Sequence, residues 1–264
     1  MPKSTPVRRR TLFVFIPPVV AFIVGLVLIL QTLPASSDTD SAEQSSISNS
    51  QVSAQPRFQY AILEKSLITS QWVVVNKHRP LPKDFQTPEL VVITPSTSLE
   101  NPRKLKLRAD AAEALQEMAG DMARLGAGVL FVNSAHRTYE YQAQLFQSKI
   151  KQYGLSLALL KSAKAGYSEH QTGLAVDVSV PKQGCAILEC FGETKGGKWI
   201  SDYSWRYGFI VRYQKDTSAI TGYAYEPWHL RFIGKELAKE YHDGGFTTFE
   251  EFWNMPAAPD YLAD

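Results

Sequence analysis

The apolar positions of this chain repeat with a period of three to four residues in several places after residue 100. Residues 108–125 are the clearest case, because apolar side chains share one face there and most acidic side chains lie elsewhere. We expect this helix to end near Gly126, and the last helix of the chain to begin with a capping box of Thr247 and Glu250. The predicted helices cover residues 108–125, 139–153, 200–207, 234–242 and 249–254.

Short apolar runs between glycine, proline and polar residues predict strands. They cover residues 71–76, 90–93, 128–133, 174–180, 209–213 and 223–232. Pro80 and Pro82 force an extended or turning path after the first run. Because the predicted elements do not form repeated βαβ units, the predicted fold is a single α+β domain with a central antiparallel sheet flanked by helices.

The N-terminal residues have the charge pattern of a membrane segment. A basic tail, residues 1–10, precedes an uncharged apolar run within residues 11–31, and the polar residues 32–56 that follow are acidic. This positive-inside pattern predicts a single-pass anchor in the cell membrane, with the following domain outside the cytoplasm. Pro17 and Pro18 shorten the apolar run, so a cleaved signal peptide and an exported protein are the alternative.

The residues after the apolar run divide into a tether and one domain. Residues 32–56 are dominated by serine, alanine and polar side chains and contain no aromatic residue, so we expect a disordered linker. Residues 57–264 are long enough to form one domain with a substantial core.

The formal net charge of +2 is close to neutral, and part of the basic excess lies in the N-terminal tail. The charge gives no electrostatic reason to expect nucleic acid as a partner. An extracytoplasmic polymer such as peptidoglycan is the more natural partner, and we expect a monomer.

The chain contains two cysteines, Cys185 and Cys190, which are five positions apart. In an exported protein such a pair most simply forms a local disulfide. A thiolate metal site is the alternative, although two sulfurs without a second ligand pair nearby do not complete a tetrahedral zinc site.

Two other segments contain the residue types that a hydrolytic metal site needs. Imidazole nitrogens and carboxylate oxygens bind zinc, and catalytic zinc sites keep one position open for water. His170 and Asp177 flank a glycine and a small residue that let the backbone turn into a strand, and His229 follows Glu226 by three positions. The His-x6-Asp spacing alone is weak, and an exposed histidine with a solvated aspartate is its other interpretation.

The remaining histidines lack such partners. His78 and His242 are interpreted as surface or core residues, and His136 as a residue at the entrance of a cleft without a second ligand at helical spacing.

The two metal-type segments resemble the signature of the VanY-type D-alanyl-D-alanine carboxypeptidases, zinc peptidases that trim peptidoglycan stem peptides. That family also has a Ser-x-x-Arg turn followed by Tyr-x-x-Gln, which Ser134 to Gln142 match. The resemblance extends from about Val73 to Arg231. His136 departs from the family pattern, in which an aromatic or small residue is more usual. The matching strings are Ser168-x-His170-x-x-Gly173-x-Ala175-x-Asp177 and Glu226-x-x-His229.

The resemblance implies one Zn²⁺ ion bound by His170, Asp177 and His229. Glu226 is then expected to be the general base, which takes a proton from the activated water and later gives it to the leaving amine. Arg137 has a planar fork suited to the terminal carboxylate of a peptide or to a developing oxyanion.

The resemblance also implies substrate contacts. Gln142 and Ser168 are expected to hold the peptide. Tyr225 or Tyr223, just before the predicted base, is expected to close the pocket or to pack in the core.

The expected function is hydrolysis of the terminal peptide bond of stem peptides, with release of D-alanine. The same site suits an L,D-carboxypeptidase, a D,D-dipeptidase or an endopeptidase, because these differ in pocket closure rather than in metal chemistry. A non-catalytic, metal-stabilised wall-binding module is the alternative from another class. Glu226 and Arg137 speak against it, because a pure binder needs neither.

Overall fold

The computed structural model describes residues 67–263 of the chain. The predicted basic tail, membrane segment and linker lie outside the described residues, as do the first ten residues of the predicted domain. None of the helices at residues 67–263 has the length and apolar character required to cross a membrane.

The centre of the described domain is a five-stranded sheet with the strand order β2-β4-β5-β7-β6. A separate antiparallel pair consists of β1 and β3. The strands are β1 (Leu90–Val92), β2 (Leu99–Glu100), β3 (Lys106–Arg108), β4 (Leu130–Ser134), β5 (Ala175–Ser179), β6 (Phe209–Tyr213) and β7 (Glu226–Phe232).

The predicted α+β class is confirmed, but the sheet is mixed rather than antiparallel throughout. β2 runs parallel to β4, whereas β5, β6 and β7 join the sheet through antiparallel pairs. The connection from β2 to β4 contains a long helix, and such a crossover brings the chain back in the same direction. The pattern of short apolar runs carries no information about this direction.

Five α-helices of the described residues lie between strands in sequence, and two follow β7. They are α1 (Ala109–Arg124), α2 (Tyr139–Tyr153), α3 (Leu155–Lys161), α4 (Lys195–Tyr203), α5 (Ser218–Thr221), α6 (Lys235–Asp243) and α7 (Phe249–Phe252).

The two largest of the three hydrophobic clusters in the described residues include strand residues of the sheet. The larger joins the inner face of α1 to the central strands, and the smaller is formed largely by α6 and α7. Phe209 belongs to the first core and its neighbour Ile210 to the second. Because successive strand residues point to opposite faces, the two cores lie on opposite sides of β6.

Each predicted helix overlaps an observed one, but α3 and α5 were not predicted, and α4 begins at Lys195 rather than at residue 200. α2 has the predicted bounds; its buried residues include Gln142, whereas the neighbouring Tyr141 is 55% exposed. Leu125, the last residue of the predicted first helix, lies beyond the last turn of α1 and is also 55% exposed. The capping box of α7 is shifted by one residue, because Thr248 accepts the backbone N–H of Glu251.

The predicted strand at residues 71–76 is wrong, although Val73, Val74 and Val75 are buried. The carbonyl groups of this segment accept hydrogen bonds from side chains instead of from a neighbouring strand. Arg231 donates to the carbonyls of Gln71 and Val73, and Arg79 donates to that of Val74. The apolar run therefore predicted the burial of this segment correctly and its strand pairing wrongly.

Candidate active site

A cleft of about 670 Å³ lies over the ends of the central strands. Its walls come from the turn after β4, from α2, from the segment before β5 and from the start of β7. All three predicted metal ligands, Glu226, Arg137, Gln142 and Ser168 line it. The fold thus brings together residues that are up to 92 positions apart in the sequence, from Arg137 to His229.

His170 lies in a tight helical turn, Glu169–Thr172, and is fully buried. Its Nδ1 lies 2.7 Å from the carbonyl oxygen of Ala135. A carbonyl can only accept a hydrogen bond, so Nδ1 carries the proton and Nε2 keeps a lone pair. Gly173 ends the turn with a φ of +74°, a conformation that glycine adopts without a steric penalty, and leads the chain into β5.

Asp177 and His229 are directly opposite each other on the antiparallel strands β5 and β7. Oδ1 of Asp177 lies 3.2 Å from Nδ1 of His229, and its Oδ2 lies 3.3 Å from Nε2 of His170. The sheet register therefore fixes one pair of predicted ligands, and the turn before β5 adds the third. Donor atoms from His170, Asp177 and His229 all lie within 4.8 Å of one another.

The two separations from Asp177 match the edges of a tetrahedral metal site. A tetrahedron with metal–ligand bonds of about 2.0–2.1 Å has edges of roughly 3.3 Å, close to the separations between Asp177 and the two imidazole nitrogens. Nε2 of His170 makes no hydrogen bond with the residues described, and its lone pair faces a carboxylate oxygen. Two such electron-rich atoms in contact are stabilised by a cation between them.

Without a metal ion, the surroundings of His229 favour the protonated imidazole. Burial lowers the pKa of His229, but hydrogen bonds to Asp177 and Glu169 outweigh burial and raise the pKa to about 9. Both ring nitrogens face a carboxylate. A metal ion bound at Nδ1 replaces the proton there, as metal binding to histidine generally does.

Glu226 is the first residue of β7, and its Oε2 lies 3.6 Å from Nδ1 of His229. Burial raises the pKa of Glu226 to about 7, and the negative charge of Asp177 contributes in the same direction. A carboxylate with a pKa near neutrality can both accept and donate a proton at physiological pH. It thus lies beside the ligand set with the properties of a general base.

Arg137 and Gln142 face the cleft from the turn after β4 and from α2. Nη2 of Arg137 lies 3.7 Å from Oδ2 of Asp177, and its Nε has no hydrogen-bond partner among the described residues. Nε2 of Gln142 donates to the carbonyl of Ala163, while its Oε1 has no partner in the described part of the chain. Ser168 is buried immediately before the His170 turn. Arg137 and Gln142 therefore retain buried polar atoms for a ligand.

Tyr225 does not line this cleft, contrary to the prediction; it lines another groove together with Pro227. Glu226 and Trp228 line the cleft, whereas Pro227 between them lies in the other groove. Tyr223, the other tyrosine considered, does line the cleft. The expected substrate contact of Tyr225 is therefore not found in the cleft.

The sequence analysis missed two aromatic residues of the cleft, Tyr213 and Trp228. The ring of Tyr213 lies 4.9 Å from that of His229, measured between centroids. Tyr213 ends the strand predicted at residues 209–213, and no local signal marked it as a site residue. Trp228 lies between Glu226 and His229 in the sequence, which was the available signal for it.

The sequence analysis also missed a buried ionic network behind the site. Glu169, next to His170, is fully buried and contacts Arg212, Arg231 and His229. Arg212 also forms two hydrogen bonds with Glu250. These charges lie in four different elements, so no local spacing connects them.

The structure also shows the surroundings of the two cysteines, of His136 and of His242. A disulfide joins Cys185 and Cys190, as expected, and Ile187 of the enclosed loop lines the cleft. His136 lines the cleft as well, with Nε2 3.0 Å from the hydroxyl of Thr87. His242 stacks on Trp205 and does not line the cleft.

The fold and the site define a class of protein before any comparison. Two histidines and one aspartate with an adjacent unligated glutamate, held at the bottom of a cleft, form the arrangement of metal-dependent hydrolases. Residues 104–235 match the family model described as "VanY: D-alanyl-D-alanine carboxypeptidase". The chain belongs to the VanY family.

Individual relatives agree with this assignment. The chain is 40% identical over 180 residues to the putative carboxypeptidase YodJ of Bacillus subtilis strain 168; the match covers 68% of this chain and 66% of that relative's length. The structure of the LdcB LD-carboxypeptidase superposes with a TM-score of 0.64 at 37% identity, covering 72% of this chain and 88% of that one.

A third comparison bears on the metal. A mutant of the vancomycin-resistance D,D-pentapeptidase VanY, solved in complex with Zn(II), matches with a TM-score of 0.56 at 30% identity. The match covers 68% of this chain and 97% of that chain.

Proposed function

We propose that this protein is a zinc-dependent D,D-carboxypeptidase that removes the terminal D-alanine from peptidoglycan stem peptides. The observation that carries the proposal is the ligand set of His170, Asp177 and His229 with Glu226 beside it in the cleft. One Zn²⁺ ion fits this set. Family membership and the Zn(II) complex of a VanY relative support the choice of metal.

The residues of the cleft divide the chemistry between them. A zinc ion at the ligand set supplies a Lewis acid that activates water and polarises the scissile carbonyl. Glu226 takes a proton from the attacking water and passes it to the leaving amine of D-alanine. Arg137 binds the terminal carboxylate of the substrate through its guanidinium fork. Gln142 offers a free amide oxygen to a peptide N–H.

A second candidate is the L,D-carboxypeptidase reaction, which removes the terminal D-alanine from a tetrapeptide stem. The similarity to the LdcB LD-carboxypeptidase favours it, since the TM-score and identity there exceed those with the VanY mutant. Both reactions require the same metal, base and arginine. They differ in which stereocentre precedes the scissile bond, and therefore in the walls of the cleft rather than at its metal end.

We further propose that the domain acts outside the cytoplasm, as a monomer attached to the membrane by its N-terminal segment. The basic tail followed by an apolar run supports this placement. The Cys185–Cys190 disulfide supports it independently, because disulfides persist in oxidising compartments.

A panel of stem peptides tests the proposed activity. We expect the purified full-length chain to convert a pentapeptide ending in D-Ala-D-Ala to the tetrapeptide, with free D-alanine identified by mass. Faster cleavage of the tetrapeptide to the tripeptide would establish the L,D reaction instead. Release of an intact dipeptide, or cleavage of free D-Ala-D-Ala, would establish endopeptidase or dipeptidase activity. Loss of no residue from any peptide would favour a wall-binding module.

A further inference from the structure

Glu169 contacts the side of His229 that points away from the cleft. We propose that Glu169 is a positioning residue: held by Arg212 and Arg231, it fixes a proton on Nε2 of His229 and thereby leaves Nδ1 to bind the metal ion. The inference rests on the proposed function only in taking His229 as a metal ligand.

The two oxygens of Glu169 have different partners. Oε1 accepts hydrogen bonds from Nε of Arg212 at 2.8 Å and from Nη1 of Arg231 at 2.9 Å. Oε2 lies 3.3 Å from Nε2 of His229. A carboxylate can only accept, so this nitrogen of His229 is the donor. One oxygen thus anchors the side chain and the other orients the imidazole.

The carboxylate of Glu169 is completely buried between two guanidinium groups. A buried charge is tolerated when it is paired and hydrogen-bonded, and both conditions are met here. The two arginines therefore favour a carboxylate at this position, and a carboxylate can only accept hydrogen bonds.

The two arginines are themselves immobilised. Nη1 and Nη2 of Arg212 donate to the two carboxylate oxygens of Glu250. Nη2 of Arg231 donates to the carbonyls of Gln71 and Val73. Because the donors are fixed on several sides, Glu169 cannot rotate to present a different atom to His229.

The two histidine ligands consequently need opposite tautomers. The carbonyl of Ala135 places the proton of His170 on Nδ1, so that Nε2 faces the cleft. Glu169 places the proton of His229 on Nε2, so that Nδ1 faces Asp177. Such partners of the distal ring nitrogen fix ligand orientation and tautomer in metal sites.

Glu169→Gln keeps the shape of the side chain but replaces one acceptor oxygen with an amide donor. The amide oxygen is expected to take the position of Oε1, because two arginine donors converge there. The amide NH₂ then faces Nε2 of His229, where two donors cannot pair. The imidazole is forced to carry its proton on Nδ1, the nitrogen that the metal ion needs.

Zinc affinity, measured by competition with a chromophoric chelator at fixed pH, tests the inference without reference to turnover. We expect Glu169→Gln to weaken zinc binding by about 10- to 100-fold. The matched control is Glu250→Gln, which removes an equally buried carboxylate from the same network but does not touch His229. Its zinc affinity is expected to fall far less than that of Glu169→Gln, because only one support of Arg212 is weakened and His229 keeps its own partner.

The outcomes are distinct. Equal losses of zinc affinity in both variants, or none in Glu169→Gln, would overturn the positioning role and leave the proposed function intact. Failure of the wild-type chain to bind zinc would overturn both.

A measurement on the wild-type chain guards against a variant that does not fold. Nitrogen-15 NMR of the histidine rings in the zinc-loaded protein reports which nitrogen carries the proton. The expected result for His229 is a proton on Nε2 and a metal-bonded Nδ1. A proton on Nδ1 would contradict the inference.

Discussion

Glu226→Gln is expected to lower kcat for D-alanine release by about 10²- to 10⁴-fold, the usual contribution of a general acid–base group. The amide keeps the size of the side chain but can no longer accept the proton of the attacking water. Zinc should remain bound, because Glu226 is not one of the three clustered ligands. Steady-state kinetics together with metal analysis of the purified variant measure both effects.

The matched control for this variant is Glu193→Gln, which changes an exposed carboxylate outside the cleft lining. Its kcat should equal that of wild type. A Glu226→Gln chain that releases D-alanine at the wild-type rate would remove Glu226 from the mechanism. Loss of zinc together with activity would instead make Glu226 a contributor to metal binding.

Arg212→Met is expected to lower the free energy of unfolding by about 3–5 kcal/mol, because removing one partner of a buried ion pair leaves an uncompensated charge. Arg212 is fully buried and pairs with both Glu169 and Glu250. Urea denaturation of the zinc-free chain at neutral pH measures the change without a contribution from metal binding.

The exposed arginine variant Arg124→Met is the control for the loss of a guanidinium. Arg124 pairs only with Asp121 among the described residues, at the surface of α1. Its substitution should change the free energy of unfolding far less, since exposed ion pairs contribute little. Equal stability of Arg212→Met and wild type would show that the network does not hold the fold together.

The network also gives the wild-type chain a defined sensitivity to acid. Burial raises the pKa of Glu250, but Arg212 outweighs it and holds the pKa below the usual 4.5. A lowered pKa in the folded state means that this stabilisation is complete above about pH 4.5 and declines as the pH falls further. Urea denaturation repeated at several pH values below 4.5 should show the free energy of unfolding falling with pH.

The metal ligands could be predicted from the sequence because each lies in a short segment whose turn or strand is recognisable from its own residues. Gly173 permits the turn that presents His170, and the apolar alternation after it predicts β5 with Asp177. His229 and Glu226 lie on one predicted strand. The sequence did not predict the pairing of β5 with β7. This pairing places Asp177 opposite His229.

The rest of the site depends on long-range contacts that no local pattern encodes. Glu169 is 43 positions from Arg212 and 62 from Arg231. The segment at residues 71–76 resembled a strand because burial and strand pairing produce the same apolar run, yet its carbonyls are bound by arginine side chains. Tyr225 is the neighbour of Glu226 in sequence, yet its side chain lines a separate groove.

The central claim is that one zinc ion at His170, Asp177 and His229 makes this chain a carboxypeptidase. Titration of chelator-stripped full-length protein with Zn²⁺, while D-alanine release from the pentapeptide is followed, tests it most directly. Activity should be absent without metal, rise linearly and reach a plateau at one equivalent of zinc per chain. Undiminished D-alanine release by the stripped protein, or no release at any zinc concentration, would contradict the claim.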